Sequence, residues 1–371
     1  MKQVIINATA ARTSGALTIL KDFMSYLYGH TDGIFLYHLL TTTKDVFKNV
    51  ENIMVHEILQ QNWRTRILWD KKGFQKWCEN NNIIPDVVIS FQNTCSRLTG
   101  KYRNVKWLVY YHQPLPLIKY PWNLLDKNES KLFLYAHFYK FFVNRWNKNA
   151  EYVVQLPYIK KMFCNKFKNI TPEKVHIIRP NLPNVNTDSL ILKKIDDDKK
   201  LFIYPATPLE YKNHKVILDA VEFLKNDELN IVNKIKIIFT VPKDSQVAQF
   251  AFERGLDGII NCIGSIPYDE LLTYYKCCDA LLFPSKIESF GLPLVEAALF
   301  GVPIIAADLP YAKEVLENYD GATFADVDNP RSWIGQIKQL LQNNKKYKPL
   351  TQKVQNTWKE FIDVMNSLLQ K

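Results

Sequence analysis

Short apolar runs alternate with stretches of helical period along most of the chain. The runs in the first half predict strands at 4–6, 33–40, 85–90, 105–111, 153–154 and 175–179, and the helical stretches lie at 16–28, 66–80 and 131–146. The second half repeats the alternation, with strands at 201–206, 235–241, 259–263, 279–283 and 302–306 and helices at 213–225, 244–254, 268–276, 292–300 and 310–317. Repeated strand–helix units predict parallel sheets with helices on both faces.

Between these halves lies a polar segment, 181–200, whose Pro and Asn residues are typical of a linker. A chain of 371 residues is long enough for two domains of ordinary size. We therefore predict an α/β fold of two Rossmann-like domains that face a cleft, with bounds at 1–185 and 186–351. The last stretch, 352–371, has apolar residues at helical spacing and predicts a final helix.

The most informative segment joins the strand 279–283 to the helix that begins near Leu292. The intervening loop carries Glu288 and Gly291, and Glu296 follows inside the helix. Ligands bind at the carboxyl ends of strands in open parallel sheets, and the amino end of a helix favours an anion. A carboxylate buried there needs hydroxyl or cationic partners. A phosphorylated sugar would supply the anion and the hydroxyls together.

The two glutamates, eight residues apart, resemble the E-x7-E signature of retaining glycosyltransferases with the GT-B architecture, in particular glycosyltransferase family 4. The neighbouring residues are in register with that family: Pro284-Ser285, Phe290-Gly291-Leu292, Glu296-Ala297 and Gly301-Val302-Pro303. The resemblance implies two facing Rossmann-like domains, with the final helix packed back on the first, acceptor-binding one. It also implies transfer of a sugar from a nucleotide-diphosphate sugar to a hydroxyl of a glycan, in the assembly of bacterial capsule, O-antigen or exopolysaccharide.

The same resemblance assigns roles on the donor side, in the second domain. Glu288 would lie by the transferred sugar, where it orients the donor and stabilises an oxocarbenium-like state, and Glu296 would bind the ribose of the nucleotide. The segment after Glu288 would offer backbone N–H groups to phosphate and sugar; it consists of Ser289, Phe290, Gly291 and Leu292. Gly264 falls where the family places the loop that binds the base.

The loop after the first strand of the second domain supplies the expected cation. Lys212, followed by Asn213, matches the lysine with which the family holds the donor pyrophosphate, but Thr207 stands where the family has an arginine. Electrostatic neutralisation of the leaving pyrophosphate takes the place of a metal in such a site. Arg12 or Arg97 of the first domain would be candidates for the missing cation.

The first domain contributes its own candidates at strand ends. Ser14 and Gly15 lie in the predicted loop after the first strand, where they would reach toward phosphate or acceptor. His112 ends another strand, and a histidine there can bond a sugar hydroxyl or carry a proton. The alternative is a ring satisfied by the loop backbone. Together with Glu288 and Lys212, His112 completes the predicted catalytic set.

The basic residues are concentrated in the first half of the chain. Residues 1–195 hold 28 Lys and Arg against 13 Asp and Glu, a balance of +15, and residues 196–371 hold 20 against 24, or −4. A basic patch of this kind attracts anionic surfaces. The aromatic and basic stretch 131–148 fits either a core helix whose cations reach the edge or an interfacial helix at a membrane. We expect a cytoplasmic enzyme, peripheral on the inner membrane surface, that binds a nucleotide sugar and a glycan or polyprenyl-diphosphate-linked acceptor.

Other classes of protein fit the sequence less well. Nucleic-acid binding by the basic half lacks a motif, so we expect no nucleic-acid partner, and an epimerase or phosphorylase on the same fold is the main alternative. The two D-x-D strings, 196–198 and 326–328, are interpreted as solvated turns, and we therefore predict no metal and no cofactor. The six cysteines lack zinc spacing and suit a reducing cytoplasm.

Overall fold

The structure of the protein is a computed structural model, and it describes residues 1–12, 14–59, 62–143, 145–147, 149–181, 199–343, 345, 347–351 and 357–371. Most of the predicted linker, with the D-x-D string at 196–198, lies outside the described residues. The chain divides into two compact units. Unit 1 is Met1–Asn181 with Val354–Lys371, and unit 2 is Leu182–Lys353.

Unit 1 is built on a sheet of seven parallel strands in the order β3-β2-β1-β4-β5-β6-β7. The strands are β1 (Lys2–Asn7), β2 (Phe35–Thr41), β3 (Ile53–Glu57), β4 (Val87–Ser90), β5 (Lys106–Tyr110), β6 (Glu151–Val154) and β7 (Val175–Ile177). The helices are α1 (Ser14–Gly29), α2 (Trp63–Leu68), α3 (Phe74–Asn80), α4 (Lys127–Tyr139), α5 (Pro157–Lys166) and α13 (Thr357–Gln370). The strand order reverses between β1 and β4, and the loops after such a pair open beside each other at the carboxyl edge of the sheet.

The last helix, α13, belongs to the core of unit 1. Its Trp358 and Phe361 are 1% and 0% exposed, and their rings lie 4.9 and 5.4 Å from the ring of Phe23 in α1. The indole N–H of Trp358 also donates to the Asp22 carboxylate at 2.6 Å. Full burial of an aromatic side chain contributes roughly 1.5–3 kcal/mol. The end of the chain therefore stabilises the unit that its beginning forms.

Unit 2 is built on a second parallel sheet, of six strands in the order β10-β9-β8-β11-β12-β13. The strands are β8 (Lys200–Tyr204), β9 (Ile235–Phe239), β10 (Ile260–Cys262), β11 (Ala280–Phe283), β12 (Ile304–Ala307) and β13 (Ala322–Ala325). The helices are α6 (His214–Asp227), α7 (Leu229–Val232), α8 (Gln246–Glu253), α9 (Tyr268–Cys277), α10 (Leu292–Leu299), α11 (Pro310–Val315) and α12 (Pro330–Gln342). Here β8 and β11 are the central strands, and the order reverses between them.

The structure adds elements that the apolar pattern did not predict, notably β3, α5, β13 and α12. The strands β3 and β13 lie at sheet edges and are only partly buried. Their sequences therefore lack the apolar run by which a strand is predicted. Two predicted helices also change. The predicted helix at 131–146 is α4, which ends at Tyr139, and the stretch 66–80 contains a π-helical turn at Trp69–Gly73.

Candidate active site

The loop between β11 and α10 is shaped by a glycine. Gly291 precedes the helix with φ +89°, a backbone conformation that other residues rarely adopt. A Cβ at this position would lie 3.1 Å from the Leu294 side chain, so space is also limited. Phe290 is buried, whereas Ser289 and Leu292 are partly exposed at the same turn. The helix has no acidic residue in its first turn, so its positive amino end remains available to an anion.

Two predicted site residues, Lys212 and Glu288, form an ion pair. Lys212 Nζ lies 2.6 Å from Glu288 Oε1, and the side chains are only 17% and 14% exposed. Burial is the strongest single influence and opposes the positive charge, but the charge and hydrogen bond of Glu288 together with nearby Tyr211 outweigh it, and the pKa of Lys212 is raised. The backbone carbonyl of Lys212 accepts a hydrogen bond from the Tyr204 hydroxyl at 2.6 Å. The sequence placed both groups at one site, and the structure shows that they bind each other.

Asn213 was predicted to bind the donor, and in the structure its side chain bonds two backbone carbonyls of unit 2. Its backbone is left-handed, with φ 58°, and its amide Nδ2 donates to the carbonyls of Val327 at 2.7 Å and Pro284 at 3.3 Å. The Asn213 side chain therefore links the loop that carries Lys212 to two other segments, the loop after β11 and the turn at 326–328. Thr207 is exposed in the same loop.

Glu296 lies inside α10 and is 5% exposed. Its two carboxylate oxygens accept hydrogen bonds from the hydroxyls of Tyr268 at 3.2 Å and Tyr275 at 3.1 Å, both on α9. Burial raises the pKa of Glu296 to about 7, and the two tyrosine hydrogen bonds only partly oppose this. Neither tyrosine was predicted from the sequence. Their i, i+7 spacing on one helix face was the available signal, but it is equally typical of core packing.

Gly264, predicted to lie by the base, follows the end of β10. Its φ is +85°, and its amide donates to the Val241 carbonyl at 2.9 Å. A Cβ added there would meet no heavy atom within 4 Å, so open space lies beside this backbone. A flat ring could approach such a position closely.

In unit 1, the structure corrects the predicted loop at Ser14 and Gly15. Both residues are the first two of α1, so the loop after β1 ends before them. A phosphate or acceptor at this point would meet the amino end of a helix. No heavy atom lies within 4 Å of the place where Gly15 would carry a Cβ.

His112 follows the end of β5, as predicted. Its backbone N–H donates to the Asn93 side chain at 2.6 Å, and Asn93 itself has φ 64°. Burial lowers the pKa of His112 to about 4, and the nearby Arg66 guanidinium lowers it further. A backbone hydrogen bond with Tyr110 raises the pKa and only partly offsets the effect of burial. The ring is therefore neutral at pH 7 and is suited to hydrogen bonding more than to carrying a charge.

A buried polar cluster beside His112 was missed by sequence reasoning. The Arg66 guanidinium donates to the Gln92 carbonyl at 2.6 Å and to the Tyr139 hydroxyl at 2.7 Å. The Asp70 carboxylate accepts from the Ser96 hydroxyl at 2.7 Å, and burial raises its pKa. Gln92 and Ser96 follow β4, next to the reversal of strand order. Arg66 and Asp70 went unnoticed because they lie one helical turn apart in a stretch whose period predicted an ordinary helix.

The described residues contain no group of three or more His, Cys, Asp or Glu side chains that could hold a metal. Asp326 and Asp328 of the second D-x-D string are exposed, and Asp328 pairs with Lys286 at 2.5 Å. They follow the strand β13 and lie at an exposed turn. Over the same described ranges, none of the helices has the length and apolar character needed to cross a bilayer.

Comparison with known proteins shows which family this part of the chain resembles. Residues 191–357 match the model of the family described as glycosyl transferases group 1. The O-antigen chain mannosyltransferase RfbU of Salmonella typhimurium (strain LT2) is 26% identical over 254 residues, which are 66% of this chain and 68% of RfbU. The capsular polysaccharide biosynthesis glycosyltransferase CapH of Staphylococcus aureus is 29% identical over 159 residues, which are 42% of this chain and 44% of CapH.

Solved structures show the same fold. WaaG, a glycosyltransferase involved in lipopolysaccharide biosynthesis, has a TM-score of 0.68 at 10% identity, with 98% of this chain and 99% of WaaG covered. HepE from Anabaena, in complex with UDP and glucose, has a TM-score of 0.64 at 13% identity, with 99% of this chain and 100% of HepE covered. At such identities the likeness is one of fold, and it confirms the predicted GT-B architecture of two Rossmann-like units.

Proposed function

We propose that the chain is a glycosyltransferase that moves a sugar from a nucleotide-diphosphate sugar to a hydroxyl of a glycan acceptor, with retention of anomeric configuration. The product would belong to a bacterial surface polysaccharide. This proposal is supported by the similarity to RfbU and CapH, an O-antigen mannosyltransferase and a capsular polysaccharide glycosyltransferase.

The observation that carries the proposal is the Lys212–Glu288 pair beside the amino end of α10. Departure of the nucleotide diphosphate leaves negative charge on its terminal phosphate, and a buried cation stabilises that charge strongly. We assign this task to Lys212 and the helix end, in place of a divalent metal. Glu288, released from Lys212 by the incoming phosphate, would then orient the sugar and face its positively charged transition state.

The remaining donor contacts follow from the loops around α10. Glu296 would accept hydrogen bonds from the ribose hydroxyls, since each carboxylate oxygen can accept more than the one hydrogen bond it receives from a tyrosine. The open backbone at Gly264 would contact the base, and the N–H groups of Ser289 and Gly291 would contact phosphate. HepE, which has the same fold, binds UDP and glucose, and this supports a nucleotide donor.

On the acceptor side we assign His112 a hydrogen bond to a sugar hydroxyl, because its ring is neutral at pH 7. The start of α1, with Ser14 and Gly15, would meet a phosphate of the donor or acceptor. We further propose that the enzyme works in the cytoplasm at the inner face of the membrane, on a lipid-linked glycan. The excess of cations in residues 101–168, 13 Lys and Arg against 3 Asp and Glu, supports this location.

A donor screen tests the proposal. UDP- and GDP-sugars are added in parallel, and a ligand present at about 100 times its Kd stabilises the protein by about 2.7 kcal/mol and raises Tm by a few degrees. The Glu296→Ala variant should lose this response, whereas Glu253→Ala, at an exposed position of α8, should keep it. If no nucleotide sugar raises Tm and both variants behave as the unmodified protein, the proposed function is wrong.

A further inference from the structure

A groove of about 390 Å³ lies in unit 1, outside the site described above. One wall is the segment from Leu115 to Leu124, and the other is α4, with Phe133 and His137 facing the groove. The groove begins in the loop that carries His112, because Leu115 lines it only three residues further along the chain. Its occupant would therefore lie close to the proposed acceptor residue.

Three lysines from three different elements line this groove. Lys119 comes from the loop after β5, Lys140 follows α4, and Lys166 is the last residue of α5. The three ammonium groups are close enough to interact: burial lowers the pKa of Lys166, and the positive charges of Lys140 and Lys119 lower it further. Three like charges in one concavity repel each other, and a polyvalent anion would relieve that repulsion.

Acidic partners are lacking nearby. Among the described residues, no carboxylate lies within 4.0 Å of the ammonium group of Lys119, Lys140 or Lys166. Glu129, at the start of α4, is buried and accepts a hydrogen bond from the Asn123 backbone at 2.6 Å. The lysine cluster is thus not explained by an internal ion pair.

Large apolar side chains are exposed along the same stretch of chain. Leu124 and Leu125 are 56% and 98% exposed, and Phe138 and Phe141 are 59% and 56% exposed. Leaving them in water is unfavourable, and because Leu124 itself lines the groove, this stretch of chain offers an apolar surface beside it. The ligand of the groove should therefore combine a compact polyanion with hydrocarbon.

We propose that this groove, through Lys119, Lys140 and Lys166, binds the diphosphate of an isoprenoid-diphosphate-linked acceptor, with the hydrocarbon chain against the exposed leucines and phenylalanines. The proposal rests on the proposed function and specifies its acceptor. A concave cluster of cations matches one polyvalent headgroup better than it matches a flat bilayer surface, which would be met by cations pointing outward. The lysine geometry therefore favours an acceptor headgroup over bulk phospholipid.

Direct binding tests the proposal without any turnover. Farnesyl diphosphate, below its micelle concentration, is titrated into the full chain and into the variant K119Q/K140Q/K166Q. We expect the triple variant to bind at least about tenfold more weakly, since charge-assisted contacts to phosphate are lost. The matched control is K71Q/K72Q/K76Q, which removes the same charge from exposed positions of unit 1 and should bind within about twofold of the unmodified protein.

Four further comparisons separate the outcomes. Farnesyl monophosphate should bind more weakly than the diphosphate, and vesicles of neutral phosphatidylcholine should not compete. If both triple variants bind farnesyl diphosphate as the unmodified protein does, or if only phosphatidylglycerol vesicles depend on the three lysines, the diphosphate site is wrong. The rise in Tm on addition of a nucleotide sugar should be the same in the lysine variant and in the unmodified protein. If no nucleotide sugar raises the Tm of the unmodified protein either, the proposed function fails independently of the groove.

Discussion

The donor site of unit 2 and the lysine groove of unit 1 differ in whether their charged side chains have partners. In unit 2, Lys212 is paired with Glu288 at 2.6 Å, and Glu296 accepts from two tyrosines. In unit 1, three lysines share a groove with no carboxylate in ion-pair distance within the described part of the chain. A ligand of unit 2 must therefore exchange existing partners, which favours selectivity. A ligand of the groove relieves repulsion that is already present, so charge and an apolar tail suffice to attract it.

The largest effect should come from breaking the ion pair of unit 2. Lys212→Met removes the proposed counter-charge of the leaving diphosphate and leaves Glu288 with no cation, so we expect kcat/KM for sugar transfer to fall by about 10³-fold. Lys215→Gln is the control, because Lys215 is 59% exposed in a surface pair with Asp219 and should keep near-normal activity. If kcat/KM of Lys212→Met falls by less than tenfold, Lys212 does not stabilise the leaving diphosphate.

The pH dependence of stability is the next effect. Because burial raises the pKa of Glu296 from 4.5 to about 7, folded unit 2 holds this proton more tightly than the unfolded chain does. The stabilisation is full below about pH 4.5 and is lost as the pH rises through 7. We expect the free energy of unfolding to fall by at most about 3 kcal/mol over this window, measured by urea denaturation at a series of pH values.

Two variants sharpen that test. Glu296→Gln cannot ionise, so the part of the slope due to Glu296 should vanish. Tyr275→Phe removes a hydrogen bond to the charged carboxylate, so the midpoint of the effect should move to higher pH. An identical slope in Glu296→Gln and in the unmodified protein would show that Glu296 does not titrate in this range.

A smaller effect is expected from the backbone of the donor loop. Gly291→Ala forces an alanine into φ +89° beside Leu294, and we expect a loss of about 1–2 kcal/mol of stability together with weaker donor binding. Gly335→Ala is the matched control, because Gly335 lies inside α12 with open space around it and should gain up to about 1 kcal/mol. Equal behaviour of the two variants, measured by thermal unfolding, would contradict a conformational requirement at Gly291.

The smallest effect is expected from Tyr268, the more exposed of the two tyrosine partners of Glu296. Tyr268 is 42% exposed, so Tyr268→Phe should cost only about 0.5–1 kcal/mol because water can replace its hydroxyl. Tyr275 is fully buried, and Tyr275→Phe should cost about 1–3 kcal/mol since Glu296 loses a partner that water does not replace. Both values come from chemical denaturation at pH 7. A reversed order would mean that Tyr268, and not Tyr275, holds the carboxylate.

The sequence predicted the sheet architecture well because central strands are buried on both faces. Inner strands of unit 2 such as β11 and β12 appear as uninterrupted apolar runs, and β9 is interrupted only by Lys236, whereas the edge strands β3 and β13 mix polar and apolar residues. The donor loop was equally predictable. Its glutamates, glycine and helix start lie within one short segment, where spacing alone fixes which groups occur together.

Partners that are distant in sequence were not predictable in the same way. Lys212 and Glu288 are 76 residues apart, and nothing in their spacing indicates a pair at 2.6 Å. Asn213 matched the family loop, yet its side chain holds the backbone of two other loops. Arg66 donates to the Gln92 carbonyl because its helix packs beside the end of a strand. The periodicity of a sequence does not show which elements pack together.

By itself, the sequence determined the α/β class, the two sheets, the motif around Glu288 and Glu296, and the basic character of the first half. These follow from local patterns, in which burial, turns and charge depend on neighbours along the chain. Only the tertiary structure decided which charges are paired, which tyrosines hold Glu296, and that Lys119, Lys140 and Lys166 line one groove. Electrostatic energy depends on distance in space and on burial, and both are set by packing between elements far apart in sequence.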